Sequence, residues 1–330
     1  MIAPNAARRA VTSKRETITT TVKVISFLGF VYAALGYVNQ IYLHWVDSFW
    51  LSNYSDKIAI VAFGIWRVAR ERDSYTRKRI GILTFFVAAL WILFPYFTGS
   101  NFFNHHLIGS FWFFAYLVLI FSFGRRADCS WNCPCVGLRD TAGNAFRKDT
   151  LKGSWYWKLR HVKWLFLASL LVYLLLTVVF AGSSFTGGYV YLYWTITNGL
   201  YFASFLVIPW TGNRNYCRFL CPYGALYGTI NKLGFYKIVA DRGKCIPCDI
   251  CESACDMGIP IKALAQKYGA FNVADCVGCG RCITECPRGA LSFVDIRDYL
   301  GAVVRHGLTP KAKVAAPTES SSSAPPFPPD

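Results

Sequence analysis

The sequence predicts an α-helical polytopic membrane protein of five to six spans, carrying a small C-terminal α+β domain rich in cysteine. Three observations carry that expectation. Of the 330 residues, 54% are hydrophobic and only 16% are charged, and mean hydropathy is +0.32, which excludes a disordered chain or an ordinary secreted protein. The apolar residues gather in long uncharged runs over the first two-thirds of the chain. Eight of the 13 cysteines fall in two short runs beyond them.

The first elements are the runs themselves. Val24 to Leu43, Ile80 to Phe97, Leu107 to Gly124, Trp164 to Phe180 and Tyr189 to Trp210 contain no Asp, Glu, Lys or Arg. Each approaches or reaches the roughly 20 residues that cross a bilayer as a helix. Without an alternating barrel pattern they are read as helices, because backbone polar groups must be satisfied within lipid. Trp45, Trp50, Trp155, Trp157, Trp164 and Trp210 suit interfacial positions. Val24 to Leu43 is too long for the apolar core of a cleaved signal peptide.

Orientation follows from Lys and Arg. Arg67, Arg70, Arg72, Arg77, Lys78 and Arg79 precede the second run, and Arg125, Arg126, Arg139, Arg147, Lys148, Lys152, Lys158, Arg160 and Lys163 lie between the third and fourth. These loops, and everything after Trp210, are expected in the cytoplasm, as in a multi-pass protein of the bacterial inner (cytoplasmic) membrane. Arg8, Arg9, Lys14 and Arg15 read the same way, so a sixth crossing is expected to enter near Phe49 and end through Ile58 to Trp66, the alternative being an interfacial segment. The net charge of +17 is then topological, and no nucleic acid is expected as a partner. The organisation predicted is a basic N-terminus over 1–23, a transmembrane domain with a duplicated helical hairpin over 24–210, a cysteine loop and connecting helix over 211–240, a metal domain over 241–295 and a tail over 296–330, disordered from about Ala315.

The metal domain reads Cys245-x2-Cys248-x2-Cys251-x3-Cys255, then Cys276-x2-Cys279-x2-Cys282-x3-Cys286-Pro287. This is the bacterial two-cluster ferredoxin signature, in which the fourth cysteine of each run serves the other cluster. One [4Fe-4S] cluster is accordingly assigned to Cys245, Cys248, Cys251 and Cys286, and a second to Cys276, Cys279, Cys282 and Cys255. The tight curl needed to wrap a cube is permitted by Gly278 and Gly280 and aided by Pro247. Zinc is the competing metal, but eight cysteines in two four-member runs suit iron–sulfur better. Asp256 stands where a proline often follows the fourth cysteine.

A second pair of motifs precedes the domain: Cys129-x3-Cys133-Pro134 and Cys217-x3-Cys221-Pro222, each just after an apolar run. The residue before proline leaves helical geometry and the proline suits the first turn of a following helix, so Cys133 and Cys221 should end one element beside the positive end of the next, which would lower their pKa values. Cys129, Cys133, Cys217 and Cys221 make a soft site for an additional metal or cluster, with buried packing thiols as the alternative. Cys135 is left as an inert thiol. His44, His105 and His106, with Asn39, Gln40 and Asn104, could contact a quinone or, less plainly, supply haem ligands. Nucleotide-binding loops are absent.

The combination of several apolar runs, two Cys-x3-Cys-Pro motifs and a terminal double ferredoxin motif resembles the membrane-bound polyferredoxins of the NapH, NosR and CcoG types, over roughly residues 80 to 295. With 44 residues after Cys286 and a short segment before the first run, the short NapH type is nearest in layout. The resemblance implies electron transfer between the quinone pool and a redox partner protein of unknown identity, as a subunit more than as a stand-alone enzyme. The alternative is a copper reductase or an accessory factor for maturation of a respiratory metalloenzyme, although only 2 methionines occur.

Overall fold

The structure, a computed structural model, describes residues 20–52, 54–98, 106–179 and 184–300. The basic N-terminus up to residue 19 and the Ser- and Pro-rich tail lie outside the described residues.

Helix α1 spans Thr20–Val38 and turns Ser26, Gly29, Phe30, Ala33 and Gly36 inward at helical spacing. Helix α2, Ser55–Arg70, packs against it, with Asp56 in its first turn and Arg67 and Arg70 in its last, the order that complements a helix dipole. Helix α3, Ser74–Phe86, begins at Asp73, whose carboxylate accepts the Thr76 N–H at 2.7 Å, and it continues through a π-helical segment at Val87–Leu93. Helices α4 (His106–Phe123), α5 (Pro134–Asp140), α6 (Lys163–Val179), α7 (Ser184–Leu206) and α8 (Pro222–Leu233) follow.

The C-terminal part holds three strands, β1 (Lys237–Ala240), β2 (Ala270–Phe271) and β3 (Leu291–Val294), with short helices α9 (Ile250–Ala254), α10 (Ile261–Tyr268) and α11 (Arg281–Thr284). The sheet is antiparallel in the order β2-β1-β3, and Ile238 lies opposite both Phe271 and Phe293. Among the described residues, two large buried cores result, with a smaller cluster of Leu167, Leu170, Tyr193 and Ala225. One gathers Phe30, Ile60, Leu83, Leu138 and Phe205 between the helices. The other runs from Ile120 through Tyr236 and Ile238 and includes Cys129, Cys217, Cys255, Cys276 and Cys282.

The helical part corrects the sequence reading. Among the described residues, two helices are long and apolar enough to cross a membrane, Thr20–Leu43 and Ser74–Thr98. The expectation of five to six spans, and the multi-pass inner-membrane topology built on it, therefore fails. The physical reason is that an uncharged run is not the same as an apolar one. The fifth run falls in α7, where Thr195, Thr197 and Asn198 interrupt the hydrocarbon. Helix α6 has 17 described residues, and the expected sixth span is a 16-residue helix containing Asp56, Lys57 and Arg67.

The charge bias has a second meaning as well. Arg79, Arg125, Arg126, Arg139 and Lys163 are all buried, and three of them make ion pairs across the fold, Arg79 with Asp140, Arg126 with Asp295 and Lys163 with Asp275. They are interior charges, not a water-facing cytoplasmic loop. Trp45, Trp50, Trp155, Trp164 and Trp210 are exposed, whereas Trp157 is buried beneath the Arg160 guanidinium, 3.8 Å from the ring centroid.

Candidate metal centre

Each Cys-x3-Cys-Pro loop is shaped by its proline. Pro134 and Pro222 occupy the first turn of α5 and α8, and Cys133 and Cys221 precede them as extended N-cap residues, the arrangement a pre-proline residue favours. The Cys221 sulfur accepts the Gly224 N–H at 3.3 Å.

The two loops meet. Cys129 lies within electrostatic reach of Cys217, and Cys221 within reach of Cys217, Cys135 and Cys129. Arg125 donates toward Cys129 Sγ at 3.7 Å and also feels Cys221. Cys133 sits against Cys135 and near Cys129. Cys135, read as an isolated thiol, thus belongs to this group.

The expected lowering of the thiol pKa values does not occur. Burial pushes Cys129 up to about 11 and raises Cys221, while a hydrogen bond with Cys135, and then burial, raise Cys133. A helix end does not offset removal of a thiolate from water. Thiols in such a place lose their protons to a cation that replaces them.

In the C-terminal part the last cysteine of each run lies near a member of the other run. Cys245 has Cys286 and Cys248 as neighbours, and Cys251 has Cys248 and Cys245. Cys255 has Cys279 as a neighbour, and Cys282 has Cys279, Cys276, Cys255 and Cys251. The curl between Cys276 and Cys282 needs left-handed backbone at Gly278 (φ +62) and Gly280 (φ +80). A Cβ there would lie 2.6 Å from Arg126 Cβ and 2.5 Å from Tyr75 Cε1, so both conformation and space demand glycine.

Hydrogen bonds reach the sulfurs as they do in ligated thiolates. Ile259 N–H donates to Cys255 at 3.4 Å, Ala290 N–H donates to Cys286 at 3.3 Å, and the Tyr236 hydroxyl lies 3.5 Å from Cys276. Four thiols in each set, with N–H donors on sulfur, fit an iron–sulfur cube. Among the described residues, no group of three or more His, Cys, Asp and Glu side chains is placed to hold a single metal ion.

A clamp joins the first loop to the second cysteine run. The Ser130 hydroxyl donates to the Val277 carbonyl at 2.5 Å, Arg125 to the Ala274 carbonyl at 2.8 Å, and Lys163 binds Asp275. Burial opposes ionisation of Asp275, but Lys163, its hydrogen bond, Arg125 and Arg160 outweigh it and hold the carboxyl below the usual carboxylate range. Because the folded pKa is depressed, the stabilisation is complete above the unfolded value of about 3.9 and is lost as pH falls through the folded value. Acidification below about pH 4 should therefore loosen the contact, read as faster proteolysis between Asn272 and Cys276. Asp275→Asn should show that loosening at neutral pH and lose the acid dependence of this step.

The expected quinone contact at His44, His105 and His106 falls largely outside the described side chains. His44 is exposed, with a left-handed φ of 51°. Asn39 is committed to its own loop, donating to the Val46 and Leu51 carbonyls and accepting from the Trp45 and Val46 N–H groups. His105 lies outside the described residues, as does Asn104, and His106 begins α4. Sequence reasoning missed the buried arginines around the sulfurs. One signal was available, an arginine three residues before the first cysteine of both motifs, Arg126 and Arg214.

Fold and sulfur arrangement together define a protein built to hold iron–sulfur clusters, and comparison with known families agrees. The model of a 4Fe-4S dicluster domain matches residues 244–291. That of a 4Fe-4S binding domain matches twice, over 105–152 and 195–238, once across each Cys-x3-Cys-Pro loop. The chain carries two [4Fe-4S] clusters.

More particularly, it is similar to ferredoxin-type electron-transfer proteins at low identity. An uncharacterized protein of Methanocaldococcus jannaschii is 27% identical over 252 residues, 72% of this chain and 95% of the relative. The putative electron transport protein YccM of Escherichia coli is 30% identical over 179 residues, 49% of each chain. The ferredoxin-type protein NapH of Escherichia coli is 30% identical over 184 residues, 49% of this chain and 60% of the relative. The chain thus spans about half of YccM and 60% of NapH. No solved structure matches it.

Proposed function

We propose that the protein relays single electrons between a redox partner protein and a quinone, through one cluster on Cys245, Cys248, Cys251 and Cys286 and a second on Cys276, Cys279, Cys282 and Cys255. The observation that carries this reading is the continuous buried core in which Cys129 and Cys217 of the paired loops join Cys255, Cys276 and Cys282. Such a core gives electrons a dry, covalently dense route from the helices to the surface of the C-terminal part. The clusters supply one-electron storage without bond rearrangement, and the chain supplies the spacing, the N–H donors and the exclusion of water. The exposed rings of Trp50, Tyr96 and Phe97, joined through Phe49, support a lipid-soluble partner on the helical side. The paired loops, with Cys129, Cys133, Cys217 and Cys221, are proposed to hold a further cluster.

Metal and sulfide analysis of the anaerobically purified protein tests this. About eight iron atoms per chain satisfy two clusters, and a clear excess with matching sulfide assigns the further cluster to the paired loops. Copper in stoichiometric amount would overturn electron relay in favour of metal handling. Reduction by a short-chain quinol should bleach the clusters' visible absorption, and failure with quinol alongside success with a reduced donor protein would remove the quinone from the scheme.

A further inference from the structure

We infer that a cage of guanidinium groups, from the buried Arg79, Arg214 and Arg281 and the partly exposed Arg147, with Arg218 against the Cys255 turn, sets the cluster on Cys276, Cys279, Cys282 and Cys255 at the higher reduction potential of the two. That cluster is then where the electron rests, and the one on Cys245, Cys248, Cys251 and Cys286 is the surface relay. The inference rests on the ligand sets of the proposed function.

The cage is built from distant parts of the chain. Arg79 and Arg214 share Asp140, Arg147 binds Asp256 at 2.9 Å and Glu285 at 3.7 Å, and Arg281 lies 3.6 Å from Asp256. Arg79, Arg147, Arg214 and Arg281 all act on Cys279, and Arg218 acts on Cys255. A Cβ at Gly258, three residues after Cys255, would lie 2.7 Å from Arg218 Nη2. Five guanidinium groups thus face Asp140, Asp256, Glu285 and, at Arg218, an Asp275 already bound by Lys163, which leaves a surplus of positive charge.

Hydrogen bonding points the same way. Arg79 Nε and Nη2, Arg214 Nε and Nη1, and Arg218 Nε and Nη2 are buried without an acceptor. Buried donors of this kind require a partner, and cluster and thiolate sulfur can serve. The first set is different. Lys262 is the cation near Cys245, but it is bound to Asp249 at 2.7 Å, and Glu252 acts on Cys251.

A four-thiolate cluster is an anion in both redox states and becomes more negative on reduction. Burial alone disfavours that step, by removing solvent from the more charged state. Surplus guanidinium charge in the same dry region favours it, and low dielectric strengthens the attraction. With clusters held by both sets, an electron delivered to the Cys245 set by a reduced one-electron donor protein, which is itself oxidised, would be retained preferentially by the caged set, with no proton transfer and no bond made or broken.

Anaerobic potentiometric titration followed by electron paramagnetic resonance tests the cage on the full chain. Cys245→Ser and Cys276→Ser first assign the two signals. The higher-potential signal should be the one that Cys276→Ser disturbs. Arg147→Gln and Arg281→Gln should each lower it by about tenfold or more in the equilibrium constant for reduction, ~59 mV for one electron. Arg281→Lys should restore most of the loss, and Lys262→Gln should move only the other signal. If Arg281→Gln does not fold, Arg147→Gln carries the measurement, its side chain being partly exposed at 19%. A higher potential at the Cys245 cluster, or arginine variants that leave both potentials in place, overturns the cage. Failure of the ligand sets reads differently, because Cys286→Ser would then disturb the signal that Cys276→Ser disturbs and not the one that Cys245→Ser disturbs.

Discussion

Cys279→Ser is expected to cost the protein one cluster and to leave the other. Cys279 neighbours Cys255, Cys276 and Cys282 in the structure, and loss of one thiolate from four opens the cube to solvent and oxidant. Iron in the C-terminal clusters should fall to about half, by about four atoms per chain. In the reduced wild-type protein, two paramagnetic clusters in one small unit should give an interacting pair of spins. In the variant that pattern should collapse to a single isolated spin. A resonance spectrum unchanged by Cys279→Ser would sink the assignment.

The second large effect is on stability. Asp140 is fully buried between Arg79 and Arg214. Burial opposes its ionisation, but the two guanidinium groups prevail and hold the carboxyl well below the usual range. Asp140→Ala would leave two buried cations without their shared counter-ion, at a cost of about 3–5 kcal/mol. That is a large fraction of the roughly 5–15 kcal/mol that holds a domain together. Thermal loss of the clusters' visible absorption should occur at clearly lower temperature in the variant. Asp140→Asn, which keeps the shape but not the charge, should recover little. A shift equivalent to less than about 1 kcal/mol in both variants would show that the ion pairs contribute nothing net.

The same residues explain why the helical part was harder to read than the cysteines. Arg79 stands next to the uncharged run at Ile80, and Arg125 and Arg126 directly follow the one ending at Gly124, positions that in a membrane protein mark a cytoplasmic flank. Their partners lie far along the chain: Asp140 for Arg79, Asp295 for Arg126 and the Ala274 carbonyl for Arg125. Window-based reading registers the charge and its neighbours but not a partner 61 to 169 residues away. The uncharged runs misled for a related reason. Thr195, Thr197 and Asn198 are invisible to a count of Asp, Glu, Lys and Arg, yet they carry hydrogen-bonding groups that lower the apolarity a bilayer demands.

What the sequence by itself determined is local chemistry. Spacing of two and three residues between cysteines dictates a tight curl, Gly278 and Gly280 allow its left-handed turns, and Pro134 and Pro222 force Cys133 and Cys221 out of helix and start the next one. These are constraints of backbone sterics acting over a few residues, so a string of letters records them completely. Tertiary structure alone decided which sulfurs face one another, how Cys135 joins the paired loops, and that basic residues near apolar runs turn inward to surround Cys279. Those outcomes depend on charges and thiols meeting across long chain separations in a dry interior, where each must find a counter-charge or a hydrogen bond to be buried at all.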